Sequence, residues 1–262
     1  MFIKPLTKGA VCVLFCTFLT IISTGSAVAI NSSVARHSCS SAEKALLAAL
    51  GLDERVDDSE IIKLLDIPVK RIYASGLIRY RKISSATPKL SQIVSDDKTT
   101  IFAKLAAAEA LCDFGNKEWI NPLKALVTDP NSKVYFSFKI DVAGLLARAG
   151  DYSQFELVAK YAVDENRLSR HFAILALGKF CHKSNPVTDR AVGLLMQAAT
   201  SDSDPWLRQL AMYSLEKIAK VRPEIESKIV DAADANINSP DRDLRITSRA
   251  MLLKYRRQPK KD

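Results

Sequence analysis

Few side chains in this sequence have the types and spacings that chemistry needs. The one cluster of soft metal ligands is Cys181-His182 with His171 ten residues upstream, and no fourth ligand stands at a zinc-site spacing. It reads as a core cysteine beside solvated histidine, so no metal and no cofactor are expected. There is no Gly-x-Ser-x-Gly, no glycine-rich phosphate loop and no Cys-x-x-Cys. A nucleophile elbow, a nucleotide cradle and a dithiol redox pair are therefore not indicated, and the chain reads as a non-enzyme.

What does recur is positive charge. Six leucines, Leu77, Leu111, Leu146, Leu177, Leu215 and Leu252, follow one another at 34, 35, 31, 38 and 37 residues. Seven positions before each stands a cation: Lys70, Lys104, Lys139, Arg170, Arg208 and Arg245. Each cation falls in the first turn of a helix, where the positive end of the helix dipole disfavours it, so acidic partners or turn carbonyls are expected. A second column lies two residues after the leucines: Arg79, Arg148, Lys179, Lys217 and Lys254, interrupted by Asp113. Arg81 and Lys82 extend it at one end, and Arg256, Arg257, Lys260 and Lys261 at the other. The column is read either as last-turn cations that complement the dipole or as a basic edge that binds an acidic ligand.

The elements that must carry these columns are helices. Four before each leucine come Tyr73, Ala107, Val142, Ala173, Ala211 and Ser248, and three after come Tyr80, Phe114, Ala149, Phe180, Ile218 and Tyr255. Those offsets make one helical face. Shorter apolar segments with start signals lie between: Asp57-x-x-Glu60, Thr87-Pro88, Asn116, Pro186 and Pro223. Turns rich in Asp and Pro (Asp66-Ile67-Pro68, Thr128-Asp129-Pro130, Ser203-Asp204-Pro205, Ser239-Pro240-Asp241) join first helix to second. A lone helical hairpin cannot cover its apolar face, so the units must stack. A capping helix is expected over 41–50, closed by Gly51. Residues 132–149 are predicted helical from this register, although Val134, Phe136, Phe138 and Ile140 alternate as a strand would. Trp119 and Trp206 stand near helix starts, where an aromatic serves either packing between repeats or as an exposed binding anchor.

Composition agrees with an all-α chain. It is 48% hydrophobic and 26% charged, with nine Gly and no Asn-Gly pair, which excludes wholesale disorder, collagen and a hairpin-rich β fold. Lys4 and Lys8 precede an uncharged apolar run from Gly9 to Ile22, and Ala27-Val28-Ala29 is a signal-peptidase pattern. Cleavage after Ala29 by the Sec route is expected, placing the mature chain in a periplasm or outside the cell. The alternative is an uncleaved anchor, because 9–30 carries 22 uncharged residues. Removing 1–29 takes two of the 38 basic residues and none of the 29 acids, so the net charge falls from +9 to +7. Three cysteines remain, Cys39, Cys112 and Cys181, a poor disulfide framework. The domain reading is a signal peptide at 1–29, a capping segment at 30–56, a repeat array at 57–255 and a basic tail at 256–262.

The stretch from Asp202 through Arg208 and Ala211 to Leu215 resembles the D-x-x-x-x-V-R-x-x-A-x-x-A-L pattern of HEAT repeats, and 107–115 and 173–178 resemble its A-x-x-A-L-G segment. Pro122 falls where HEAT first helices carry a kinking proline. The resemblance covers roughly 57–255 and implies an α-solenoid of about six hairpins in a right-handed superhelical stack. It also implies an Asp six before each first-turn cation, paired along the array: Asp164 and Asp202 match, and Asp97 is one place off. HEAT-like deoxyhypusine hydroxylases carry His-Glu pairs, whereas here the pairs are His37-Ser38, His171-Phe172 and His182-Lys183. The expected role is a scaffold holding a protein or peptide on the concave surface of the second helices. The alternatives are a polyanion binder using the basic edge, with precedent among HEAT-like DNA glycosylases, and a lyase like those that attach bilins, which export opposes.

Overall fold

The computed structural model describes residues 41–129, 132, 134–181 and 186–256, and among them every regular element is helical. The expected signal segment, Cys39, His182 and the tail from Arg257 lie outside the described residues. The chain forms two compact units, one up to Lys89 and one from Leu90.

The first unit contains α1 (Ser41–Leu50), α2 (Asp58–Lys63) and α3 (Arg71–Arg81), and α4 (Thr87–Ser95) crosses its boundary. α1 and α2 both pack on α3, burying Leu46, Leu50, Ile61, Ala74, Leu77 and Ile78. Asp57 accepts the Ser59 N–H and starts α2 as the sequence signals. The ends of α1 and α3 share one device. Gly51 (φ 70°) and Lys82 (φ 58°) adopt the left-handed conformation, and the next N–H reaches back five residues, Leu52 to Leu47 O and Ile83 to Ile78 O, both 2.9 Å.

The second unit continues with α5 (Ile101–Asp113), α6 (Ile120–Thr128), α7 (Phe136–Arg148), α8 (Phe155–Ala162) and α9 (Arg167–Leu177). α10 (Pro186–Ser201), α11 (Pro205–Ala219), α12 (Glu226–Asn236) and α13 (Arg242–Tyr255) complete it. The second helices α5, α7, α9, α11 and α13 each contact the next in order, and the first helices α8, α10 and α12 do the same. Hairpins therefore stack side by side, as their uncovered apolar faces require. Polar residues supplied by the turns start the second helices: Thr100, Asn166, Asp204 and Asp241 each accept an N–H of the first turn of α5, α9, α11 and α13. Ala107, Val142, Ala173 and Ala211 are fully buried beside Leu111, Leu146, Leu177 and Leu215, the small side chains admitting the neighbouring helix. At Gly144 the approach is closest: a Cβ there would lie 3.2 Å from Ala176 Cα on α9.

The segment with strand-like alternation is helix α7. Phe138 and Ile140 are buried, and Phe136 meets Tyr161 and Phe172 at 5.6 and 6.2 Å between ring centroids. Contacts all round the helix, on α6, α8 and α9, outweigh the local β preference.

Candidate functional site: the face of the second helices

The first-turn cations hold turns together. Arg170, Arg208 and Arg245 each donate to the carbonyl six residues before, those of Asp164 (3.0 Å), Asp202 (2.5 Å) and Ser239 (2.6 Å). Arg170 then reaches into the next repeat, its Nε and Nη2 meeting the two Asp202 carboxylate oxygens at 2.8 and 3.1 Å. That fork raises the Arg170 pKa above its ordinary value. The expected aspartate pairing is thus split: the backbone carbonyl serves the cation six residues on, and the carboxylate serves the cation of the preceding repeat. The Asp164 carboxylate instead accepts the Asn166 N–H at 2.7 Å. Lys104 pairs loosely with Asp97, at 3.9 Å, and Lys139 is half-buried in the first turn of α7.

In the first repeat the geometry shifts the register by one residue. Arg71, not Lys70, donates to the carbonyl six before it (Leu65, 3.0 Å), while Lys70 reaches the Leu50 carbonyl. Counting from Arg71, the anchor is Ile78, the small residue four before it is the fully buried Ala74, and Lys82 falls where Gly115 and Gly150 follow Leu111 and Leu146. Arg79 therefore leaves the second cationic column. Arg81 is committed to structure, with Nε on Glu43 at 2.7 Å and its Nη atoms on the Val56 and Glu54 carbonyls. Lys82 is a helix cap.

Much of the remaining column is neutralised across repeats. Arg148 pairs with Asp113 of the preceding repeat, and Lys254 with Glu216 at 2.5 Å. Among the described residues the basic edge contracts to Lys179 and Lys217, half-buried on adjacent repeats. Burial, then the charges of Lys179 and Lys220, push the Lys217 pKa below its ordinary value. Lys179 also faces Asp141, whose carboxyl is raised to about 6 by burial, opposed by Lys179 and reinforced by Glu109.

The two tryptophans separate cleanly. Trp119 is wholly buried, its Nε1 donating to the Asn116 carbonyl at 2.9 Å. Trp206 is 43% exposed, projected from the first turn of α11 by the Asp204 cap and Pro205. Its ring lies flat on His171 of α9, 4.7 Å between centroids and 17° between planes, and the Arg167 guanidinium sits 5.3 Å from its centroid. Arg167 is held there by an ion pair with Asp204. Burial, then the nearby Arg167, lowers the His171 pKa to about 4, so the ring is neutral at pH 7. The Nδ1 of His171 is buried with no hydrogen-bond partner among the described residues. Leu168, Tyr213, Ile246 and Leu253 add exposed apolar surface on α9, α11 and α13. Gln209 and Tyr213 of α11 meet Thr247 of α13 at 2.5 and 3.5 Å. Sequence spacing singles out Trp206 but not the stack, because His171 and Arg167 precede it by 35 and 39 residues in the chain.

No group of three or more His, Cys, Asp or Glu among the described residues could hold a metal ion. Burial raises the Cys181 thiol pKa, leaving a poor nucleophile. No helix among the described residues is long and apolar enough to cross a membrane.

No curated protein matches the sequence. Among solved structures the chain is similar to an engineered protein, at 16% identity over 82% of this chain and 96% of that one, TM-score 0.41. It is also similar to human deoxyhypusine hydroxylase in complex with glycerol, at 17% identity over 95% and 99%, TM-score 0.36. Computationally designed armadillo repeat proteins for modular peptide recognition match at 16% identity over 81% and 98%, TM-score 0.40. Residues 103–129, which span most of α5, the Trp119 turn and α6, match the family model described as PBS lyase HEAT-like repeat, and the chain therefore carries a HEAT-like repeat within its all-helical stack.

Proposed function

We propose that this chain is a non-enzymatic scaffold or adaptor that holds a protein or peptide partner on the second-helix face of its second unit. The observation that carries the reading is Trp206, left exposed yet stacked on His171 with the Arg167 guanidinium against its ring. Exposed apolar surface of this kind, amphipathic and already ordered, is characteristic of binding hot spots. Export through residues 1–29 belongs to the same proposal and rests on the sequence alone. Intact mass of the secreted protein, expected to begin at Ile30, tests that part.

The surface is tested by crosslinking the tagged protein in its native setting and purifying it at low and at high salt, beside Trp206→Ala. A protein retained by the wild type at both salts and lost from the variant supports the reading. Equal retention by the variant refutes this surface. Recovery of nucleic acid or acidic polymer that is lost at high salt would favour the polyanion reading instead, because counterion release makes such binding steeply salt-dependent.

A further inference from the structure

The second-helix face is apolar at one end and cationic at the other in two adjacent repeats. On α11, Trp206 and Tyr213 are followed by Lys217, eleven residues beyond Trp206; in the preceding repeat Leu168 stands in the first turn of α9 and Lys179 in the turn just past its end at Leu177. At a rise of 1.5 Å per residue, eleven residues span about 16 Å. An extended peptide covers that span in about five residues. The nearby acids are largely committed elsewhere: Glu216 to Lys254 and to the Tyr255 hydroxyl, and Asp113 to Arg148. Asp141 faces Lys179, which leaves Lys217 and Lys220 in excess beside it. The stem of Lys179 lies over Gly144, where a Cβ would come within 2.9 Å of its Cδ, so the chain is guided along α7 and not left to roam.

We propose that the partner of this face is a peptide segment carrying a large apolar side chain that docks beside Trp206 and a carboxylate, about five residues away, that is bound between Lys179 and Lys217. The proposal rests on the scaffold reading above and gives its ligand a chemistry. The apolar anchor adds its ring or branched side chain to the Leu168, His171 and Trp206 surface. The carboxylate relieves the repulsion between two lysines that are partly withdrawn from water, where an added anion interacts more strongly than at an open surface.

The test selects peptides from a random display library on the purified protein, then measures the winners as synthetic free peptides by fluorescence anisotropy. The proteins are the wild type, Trp206→Ala, the pair Lys179→Gln with Lys217→Gln, and the pair Lys179→Arg with Lys217→Arg as a charge-retaining control. The expected winners pair an aromatic or aliphatic residue with Asp or Glu four to six positions away. The glutamine pair then weakens the best peptide by about tenfold, the arginine pair restores binding, and changing the peptide acid to its amide weakens the wild type but not the glutamine variant. Peptides that bind through Trp206 without an acid, or that ignore the glutamine pair, overturn this inference and leave the scaffold reading standing. No selected peptide, or winners indifferent to Trp206→Ala, overturn both.

Discussion

Replacing Asp202 by Asn attacks the contact that ties α9 to the turn leading into α11. The Arg170 and Asp202 side chains are 15% and 5% exposed, and two of their atoms meet on each side. A hydrogen bond to a charged group contributes about 1.5–3 kcal/mol net, and breaking a fully buried pair costs about 3–5 kcal/mol. The upper figure does not apply here, because Arg170 keeps the Asp164 and Glu165 carbonyls at 3.0 and 2.9 Å and its charge is not orphaned. The expected loss is therefore about 2 kcal/mol for Asp202→Asn and about 3 kcal/mol for Arg170→Met, which also forfeits the carbonyl bonds. The double variant should lose about 3 kcal/mol, a coupling of about 2 kcal/mol. Urea titration followed by helical circular dichroism measures all three. By contrast, separating the exposed pair Arg190 and Glu156 should leave the midpoint where it was. Additivity of the two single losses to within about 0.5 kcal/mol would falsify the claim that this fork joins the repeats.

Two titrations oppose one another. His171 titrates near 6.5 when unfolded and about 4 when folded, so only the unfolded chain binds the proton between those values, and stability falls as the pH drops from about 6.5 toward 4. His171→Phe keeps a ring against Trp206 and should remove that slope, worth about 3 kcal/mol; an unchanged slope refutes the assignment. Asp141 runs the other way: its folded carboxyl keeps its proton up to about 6 and its unfolded one only to 3.8, so stability falls as the pH rises through that window. Asp141→Asn should stabilise by about 1–2 kcal/mol at pH 7 and by nothing near pH 3, read from urea midpoints. Gly144→Ala drives a methyl against Ala176 and should destabilise by about 1–3 kcal/mol, whereas Gly193→Ala, with nothing within 4 Å, should stabilise by about 1 kcal/mol in thermal melts. Lys82→Gly removes a side chain from a left-handed position and should raise the melting temperature by a few degrees, a fall counting against its role as a cap.

The residues of this chain determine by themselves its helices and the order of its hairpins, because both depend on local signals. Asp57, Asn166, Asp204 and Asp241 cap helices through atoms two or three residues away, and the recurring leucines repeat at the length of one hairpin. The HEAT resemblance rested on the same short-range pattern, and the family match over 103–129 falls on one of those units. The first repeat's register is not legible in the sequence for the converse reason: Lys70 and Arg71 are both cations and Leu77 and Ile78 both apolar, and only the bond from Arg71 to the Leu65 carbonyl distinguishes them.

Tertiary structure alone decided what each cation does. Arg148, Lys179 and Lys254 have the same place in the repeat, yet one meets Asp113, one overlies Gly144 and one meets Glu216, partners 35 to 38 residues away along the chain. It also decided between the two tryptophans, and its contacts hold α7 helical against the local alternation, as the repeat register indicates. Stacking brings side chains of successive repeats within contact distance, and the energy of each contact depends on which neighbour arrives. No residue carries that information in its own type or spacing, which is why the architecture was legible in the sequence and the binding face was not.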